Sequence, residues 1–263
     1  MGEFVHVYND GGGIRNVNVP NAPLSISGNK KAASNGNVQI FEFEDMVPKI
    51  CPSLTTGTTA AQAGSTVTVT VVTAHGIPAT TYDGWKVWYP GSANIDAGWY
   101  SNFAYLSANT FSFTANDSKT VASQSVNGGA AVTAYVEFYK LTLPGGTLGK
   151  NGRATANIFK FPDTTANTKS QRVYFGGSVV SANIAVTAAA SGMFRYTFSN
   201  MNSEAKQRGS QGQDGAGSIA PTAIYTITID STQDQVVSIQ ASNSAGGGFF
   251  AIQYADLEVK YNA

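Results

Sequence analysis

Charge is what this chain has least of. Only 12% of its 263 residues are charged, about half of the roughly 25% usual for globular domains. Lys plus Arg equals Asp plus Glu at 16 each, so the formal net charge is zero. That balance offers no basic face for phosphates and argues against nucleic acid as the main partner. A lone copy with so few charges would be poorly protected against association, so much of its surface is expected to be covered in an assembly. The single cysteine, Cys51, excludes a disulfide framework within the chain. Between Ile50 and Pro52 it reads as a small buried apolar residue. Only two histidines occur, His6 and His75. With Cys51 they are too few and too scattered for a zinc site, which takes three or four ligands. His75, ahead of Gly76, reads as a turn residue, and no Gly-x-Ser-x-Gly elbow accompanies it. The carboxylate pairs Asp83 with Asp96 and Glu204 with Asp214 are of a kind that any β protein holds by chance, so they do not argue for a glycosidase. Phosphate-loop and dinucleotide motifs are absent. No stretch approaches the roughly 18 apolar residues of a membrane span. Met1-Gly2-Glu3-Phe4 is not a basic start leading into an apolar run, so no signal peptide is expected. The chain is expected to be non-catalytic, to need no cofactor or metal, and to be made in a cytoplasm.

Helical periodicity is also scarce. Strand signals recur instead, separated by clusters of Gly, Asn, Pro and Ser, and they predict an all-β chain. Three units are expected. Residues 1–60 read as an extended N-terminal arm. Phe4 to Tyr8 is a short strand ended by Gly11-Gly12-Gly13, and Pro20 and Pro23 delete backbone donors that a central strand would need. Val38 to Glu44 is the arm's better strand. Neither of its faces is cleanly polar, so it is expected to pair with another chain, with Val38, Ile40, Phe41 and Phe43 as anchors. Residues 61–143 read as a small immunoglobulin-like β-sandwich. Thr66 to Val71 alternates Thr and Val, Trp85 to Tyr89 is stopped by Pro90-Gly91, and further strands follow at regular spacing. Residues 144–263 hold strand signals near 152–161, 170–180, 183–188, 192–199, 222–229, 235–241 and 248–261, a number that suits a jelly roll. Gly209, Gly212 and Gly215 repeat every third residue but lack the prolines of a collagen helix, so that stretch is expected to be a mobile surface loop.

Aromatic residues cluster in the middle unit. Trp85, Val87 and Tyr89 share one face of their strand and Trp88 takes the other. One face is expected to fill the sandwich and the other to meet a neighbouring subunit. Alternatively Trp85, Trp88, Trp99 and Tyr100 present rings to a host glycan, since rings give contact area at low entropic cost.

The last 120 residues carry Leu148-Gly149-Lys150-Asn151-Gly152-Arg153, then Asn167-Thr168-Lys169 leading to Phe175-Gly176-Gly177, then Thr228-Ile229-Asp230-Ser231-Thr232. In order and spacing these segments resemble the trimeric jelly-roll domain of tailed-phage fibres, spikes and head-decoration proteins. The stretch from His75-Gly76-Ile77-Pro78 to Ser125-Val126-Asn127 resembles, more weakly, small sandwich modules of phage proteins. The resemblance implies a homotrimer on the virion exterior, trimerised through residues 144–263. Its implied role is a capsid decoration or cement protein that stabilises the shell, bound to the phage major capsid protein and synthesised in the host cytoplasm. The alternative it implies is a tail-fibre or tailspike tip that recognises a host surface glycan. No heptads or long repeats of a fibre shaft occur, which favours the decoration reading.

Overall fold

The computed structural model describes residues 24–25, 31–32, 34–35, 38–127, 135–161, 169–180, 184–186, 192–214, 225–243 and 248–260. Every regular element among them is a strand. In chain order these are β1 Leu24–Ser25, β2 Lys31–Ala32, β3 Ser34–Asn35, β4 Val38–Glu42, β5 Lys49–Pro52, β6 Thr59–Thr70 and β7 Lys86–Tyr89. Then come β8 Gly98–Tyr100, β9 Ala104–Ser107, β10 Thr110–Ser125, β11 Val136–Leu143, β12 Arg153–Lys160 and β13 Lys169–Phe175. The last are β14 Ser178–Val179, β15 Ile184–Val186, β16 Gly192–Asn200, β17 Gln207–Asp214, β18 Tyr225–Ile227, β19 Gln235–Asn243 and β20 Phe249–Lys260. The protein is an all-β sandwich protein.

Two cores organise it. The first lies between β11, β19 and β13 of a smaller sheet and β16, β12, β20 and β4 of a ten-stranded sheet. The second lies between the three-stranded sheet β6-β10-β9 and the other end of the large sheet, where β5, β7 and β8 run. Alternation places the side chains. Val67, Val69 and Val71 are buried in the second core, while Thr68 between them is half-buried and Thr66 and Thr70 are exposed.

The two cores share a wall. In β5, Ile50 faces the second core and Cys51 the first. In β20, Phe249 and Ala251 face the second core, and Phe250 and Ile252 the first. These strands are apolar on both faces because both faces are interior, as in any sheet covered on two sides. Burying one such Phe is worth about 1.5–3 kcal/mol, so each of the two strands contributes to both halves at once.

This arrangement corrects several expectations. Residues 38–52 are not part of an arm. The second half of β20 pairs with β4, Leu257 opposite Phe41, and its first half pairs with β5, Ala251 opposite Ile50. Phe41 and Phe43 are 7% and 1% exposed in the chain's own first core, so they are not anchors for a partner. Val38 and Ile40 are half-buried on the opposite face of β4. The strand expected to pair with another chain pairs with β20 of its own chain. Residues 207–214 are a strand, not a mobile loop, and pair along their length with β16. Gly209 is required there because a Cβ would lie 1.7 Å from the Val180 carbonyl oxygen. Phe4 to Tyr8, His6 and Asn16 to Pro23 lie outside the described residues, as do Gly215 and Asn167-Thr168.

Candidate functional site

The aromatic residues occupy the seam between the two sandwiches. Trp85 and Tyr100 are buried in the second core. Trp88 and Trp99 lie half-buried on the opposite face, directly across from each other on β7 and β8. Their rings meet edge to face at 5.5 Å, a favoured geometry for aromatic pairs. This face meets the chain's own first core: the Trp99 ring lies 4.9 Å from Phe138. Its indole N–H donates to the Glu137 carbonyl at 3.0 Å.

Around this seam the open edge of β11 is capped. β11 is the outermost strand of the smaller sheet, and its ladder with β19 slips between Glu137 and Tyr139, leaving Phe138 as a bulge. The Phe138 carbonyl accepts from the Lys49 ammonium at 2.6 Å. The Lys140 carbonyl accepts from the Glu44 backbone N–H at 2.7 Å. With the Trp99 indole, three donors from the neighbouring sandwich and its connector meet carbonyls of an edge strand that could otherwise template aggregation.

Lys49 is the centre of this contact. It is 3% exposed. Besides the Phe138 carbonyl, its ammonium donates to the Asp45 carbonyl at 3.1 Å and approaches Asp45 Oδ2 at 3.3 Å. It sits 4.3 Å from the centre of the Tyr139 ring. Burial lowers its pKa below the usual lysine value, against the opposing pull of Asp45. Burial also pushes the Asp45 carboxyl up, but the hydrogen bond from Lys86, at 2.7 Å, and the two lysine charges outweigh it and hold the carboxyl low. The Tyr139 hydroxyl donates to the Val47 carbonyl at 2.8 Å, and burial raises its pKa. An ammonium with its N–H groups committed in this way is a structural tie. A lone lysine in the apolar run Pro48-Lys49-Ile50-Cys51-Pro52 was the sequence signal for it.

The other candidate groups are equally committed. His75 is fully buried. Its Nδ1 accepts from the Ile77 N–H at 3.2 Å and its Nε2 faces the Ser107 carbonyl at 2.8 Å. Burial lowers its pKa. The ring packs edge-on against Phe111, so His75 holds a loop onto the core rather than merely opening a turn. Burial pushes the Cys51 thiol up to about 12, which keeps it protonated and unreactive at neutral pH. Among the described residues no group of three or more His, Cys, Asp and Glu side chains is placed to hold a metal ion.

The segments that carry the phage resemblance converge at one end of the first sandwich. The Asn200 carboxamide donates to the Gly149 carbonyl and, at 2.9 Å, to the Ser231 hydroxyl. The Ser231 hydroxyl donates to the Glu204 carbonyl at 2.8 Å, and the Ser231 carbonyl accepts from the Gly146 N–H at 2.8 Å. Gln207, fully buried, donates to the Ile229 carbonyl and accepts from the Ile229 N–H. Gly152 has no room for a side chain, since a Cβ would lie 1.8 Å from the Leu148 carbonyl oxygen. Gly176, at φ 54°, opens the hairpin that brings β14 back beside β13, and a Cβ there would strike Ile229. The first and third motifs are thus tied by hydrogen bonds through Asn200, and the Gly176 turn packs against Ile229 of the third. No protein-family model matches the chain, and no curated protein matches it at a significant level. Asn200 and Gln207 join these motifs, and sequence reading missed both, because a polar residue at a strand end gives no signal of a partner more than twenty positions away.

Apolar side chains also remain on the outside. On the outer face of the large sheet Phe159 stands between Met193 on β16 and Tyr254 on β20. Phe159 is 38% exposed and Tyr254 45%. That face also carries half-buried Val38 and Ile40 on β4, together with a hydroxyl pair Thr155 and Thr197 at 3.1 Å and an Asn157 to Asp256 hydrogen bond at 2.7 Å.

Proposed function

We propose that the chain is a non-catalytic structural protein of a tailed-phage virion exterior, a homotrimeric decoration or cement protein that binds the major capsid protein. The observation that carries the reading is the convergence of the Leu148 to Arg153, Phe175 to Gly177 and Thr228 to Thr232 segments at one end of the first sandwich, where Asn200 ties the first to the third by hydrogen bonds and the Gly176 turn packs against Ile229. Segments that build a single substructure carry a family resemblance better than scattered matches do. The row Met193, Phe159 and Tyr254 supports subunit contact, since a charge-poor chain with an exposed apolar row on a sheet face is suited to bury it. With Phe41 and Phe43 in the core, attachment to the shell is assigned to residues 1–37, which precede β4.

A cement acts by linkage: it binds the assembled shell and stabilises that state over the disrupted one. The test is a phage lacking this protein. Such particles should lose DNA at lower temperature or under osmotic shock and still adsorb to cells. Intact capsid stability with lost adsorption would reject the cement role. Deleting residues 1–37 should abolish incorporation while the purified chain keeps its fold.

A further inference from the structure

The inner face of the smaller sheet turns polar along its last row. On β13, Phe175 and Val173 fill the first core, and Gln171 and Lys169 continue the same face. On β19, Val237, Ile239 and Ala241 fill it, and Asn243 continues that face. Lys169 lies directly opposite Asn243, and Gln171 opposite Ala241. Lys169 is 1% exposed, and Asn243 and Gln171 are fully buried. A primary amine and a primary carboxamide are therefore cross-strand neighbours on one interior face, with Cβ atoms about 4.5–5.5 Å apart.

The carboxamide does not fit its surroundings as it stands. Neither Oδ1 nor Nδ2 of Asn243 has a hydrogen-bond partner among the described residues. A fully buried amide with both ends unmatched is rare in folded proteins and calls for a physical reason. Asn200 and Gln207, buried in the same sandwich, both donate to neighbours. Lys49, the buried lysine at the seam, meets backbone carbonyls and a carboxylate rather than a carboxamide. The pairing of a buried lysine with an unmatched amide is particular to Lys169 and Asn243.

We propose that Lys169 and Asn243 become joined by an isopeptide bond that the chain forms on itself. Lys169 Nζ attacks Asn243 Cγ. The Nζ–Cγ bond forms and the Cγ–Nδ2 bond breaks. Two protons pass from the Lys169 ammonium to Nδ2, which leaves as ammonium, and the Cγ carbonyl is restored. Atoms and charge balance with no oxidant or co-reactant. Two groups fixed side by side react as if at about 10⁵–10⁸ M when well oriented, which replaces a rare encounter in water. Gln171 is the diagonal neighbour of Asn243, and its carboxamide is likewise without a partner among the described residues. A long side chain reaches a diagonal neighbour, so the Gln171 N–H groups are the donors placed for the oxyanion of the tetrahedral intermediate. The product removes two burdens at once: the unmatched Nδ2 is gone, and a buried charge is replaced by a neutral amide. With a single cysteine the chain has no internal disulfide. This bond is its covalent staple, closing the stretch that contains β14 to β18.

The test is the intact mass of the purified full chain under denaturing conditions, allowing for removal of Met1. It should fall short of the sequence mass by one ammonia, about 17 Da. Tryptic digestion should then yield a branched peptide that joins Lys169 to Asn243 and is uncut at Lys169. The peptide map separates this bond from a succinimide at Asn35, Asn127 or Asn151, which loses the same mass and forms most readily before a glycine. Lys169→Met and Asn243→Ala should each show the full mass of their sequences and melt at lower temperature than wild type. A wild-type chain at its full sequence mass overturns the proposal, whether or not the variants fold. So does a deficit that maps to any other pair of residues. Neither failure would touch the decoration role, which is read on particles.

Discussion

Replacing Lys49 by Met keeps the aliphatic stem against Tyr139 and Trp99 and removes only the ammonium. The charged hydrogen bonds to the Phe138 and Asp45 carbonyls would be lost. Bonds to charged groups contribute about 1.5–3 kcal/mol each, so the gross loss is about 3–6 kcal/mol. Against it stands the desolvation of a nearly buried ammonium, several kcal/mol in a protein interior, which the variant no longer bears. Asp45 keeps Lys86 as a partner at 2.7 Å, so no carboxylate is stranded. The bulge carbonyl of Phe138, however, becomes a buried acceptor without a donor, which costs about 1–3 kcal/mol. The net expectation is a loss of about 2–4 kcal/mol. Urea unfolding at neutral pH, followed by tryptophan emission, measures it directly, because Trp88 and Trp99 report on the seam itself. A variant within about 0.5 kcal/mol of wild type, or more stable, would show that Lys49 is a tolerated passenger and that the seam is held by the rings alone.

Alkaline pH should unfold the protein through groups that burial keeps protonated. The Cys51 thiol rises from 9.0 to about 12, so the folded state holds a proton that the unfolded state releases. Its contribution is therefore complete below pH 9, is lost as pH climbs toward 12, and amounts to about 3 kcal/mol of loss by pH 11. Tyr82, raised from 10.0 to about 12, acts in the same sense above pH 10. Stability curves against pH should show Cys51→Ala losing less stability than wild type between pH 9 and 11; parallel curves would contradict the assignment. Gly152→Ala should destabilise by at least about 3 kcal/mol in chemical denaturation, because backbone atoms cannot yield to a Cβ. Gly177→Ala, with open space around it, should lose only about 1–2 kcal/mol for its positive φ. If Phe159 and Tyr254 lie in the trimer contact, Phe159→Lys with Tyr254→Lys should yield folded monomers by sedimentation; a retained trimer would place the contact elsewhere.

Local signals in the sequence were reliable guides, and long-range ones were not. The alternation of Thr66 to Val71 placed three valines inward, because period-two patterning depends only on the strand itself. The two-faced aromatic strand was also legible: Trp88 does take the face opposite Trp85, and that face is covered. What covers it was not legible, since Phe138 lies some fifty residues away and reaches the seam through a bulge. The same distance problem hid the fate of Val38 to Glu44. Its mixed faces correctly signalled pairing, but its partner is the far end of the same chain. The glycines of Gln207 to Asp214 looked like loop chemistry because the reason for Gly209 is the Val180 carbonyl, a contact that composition cannot express. At the candidate site, glycine motifs marked the right region and the apolar run around Lys49 marked that lysine, while Asn200 and Gln207 carry no distinguishing neighbours in sequence.

The shared wall also sets a schedule for biosynthesis. β5 is made well before β20, and both cores need both strands. After β5 leaves the ribosome, residues 53–248 must be added before β20 exists, on the order of 10–40 s at about 5–20 residues per second. Neither core is complete until β20 emerges, and for that interval Phe41, Phe43 and Ile50 lack the cover that strand gives them. A fragment spanning 144–263 would inherit the same defect permanently, because β20 would lack both β4 and β5. Nascent chains on neighbouring ribosomes would expose the same sticky strands together, so the yield of correctly assembled protein should fall as its synthesis rate rises.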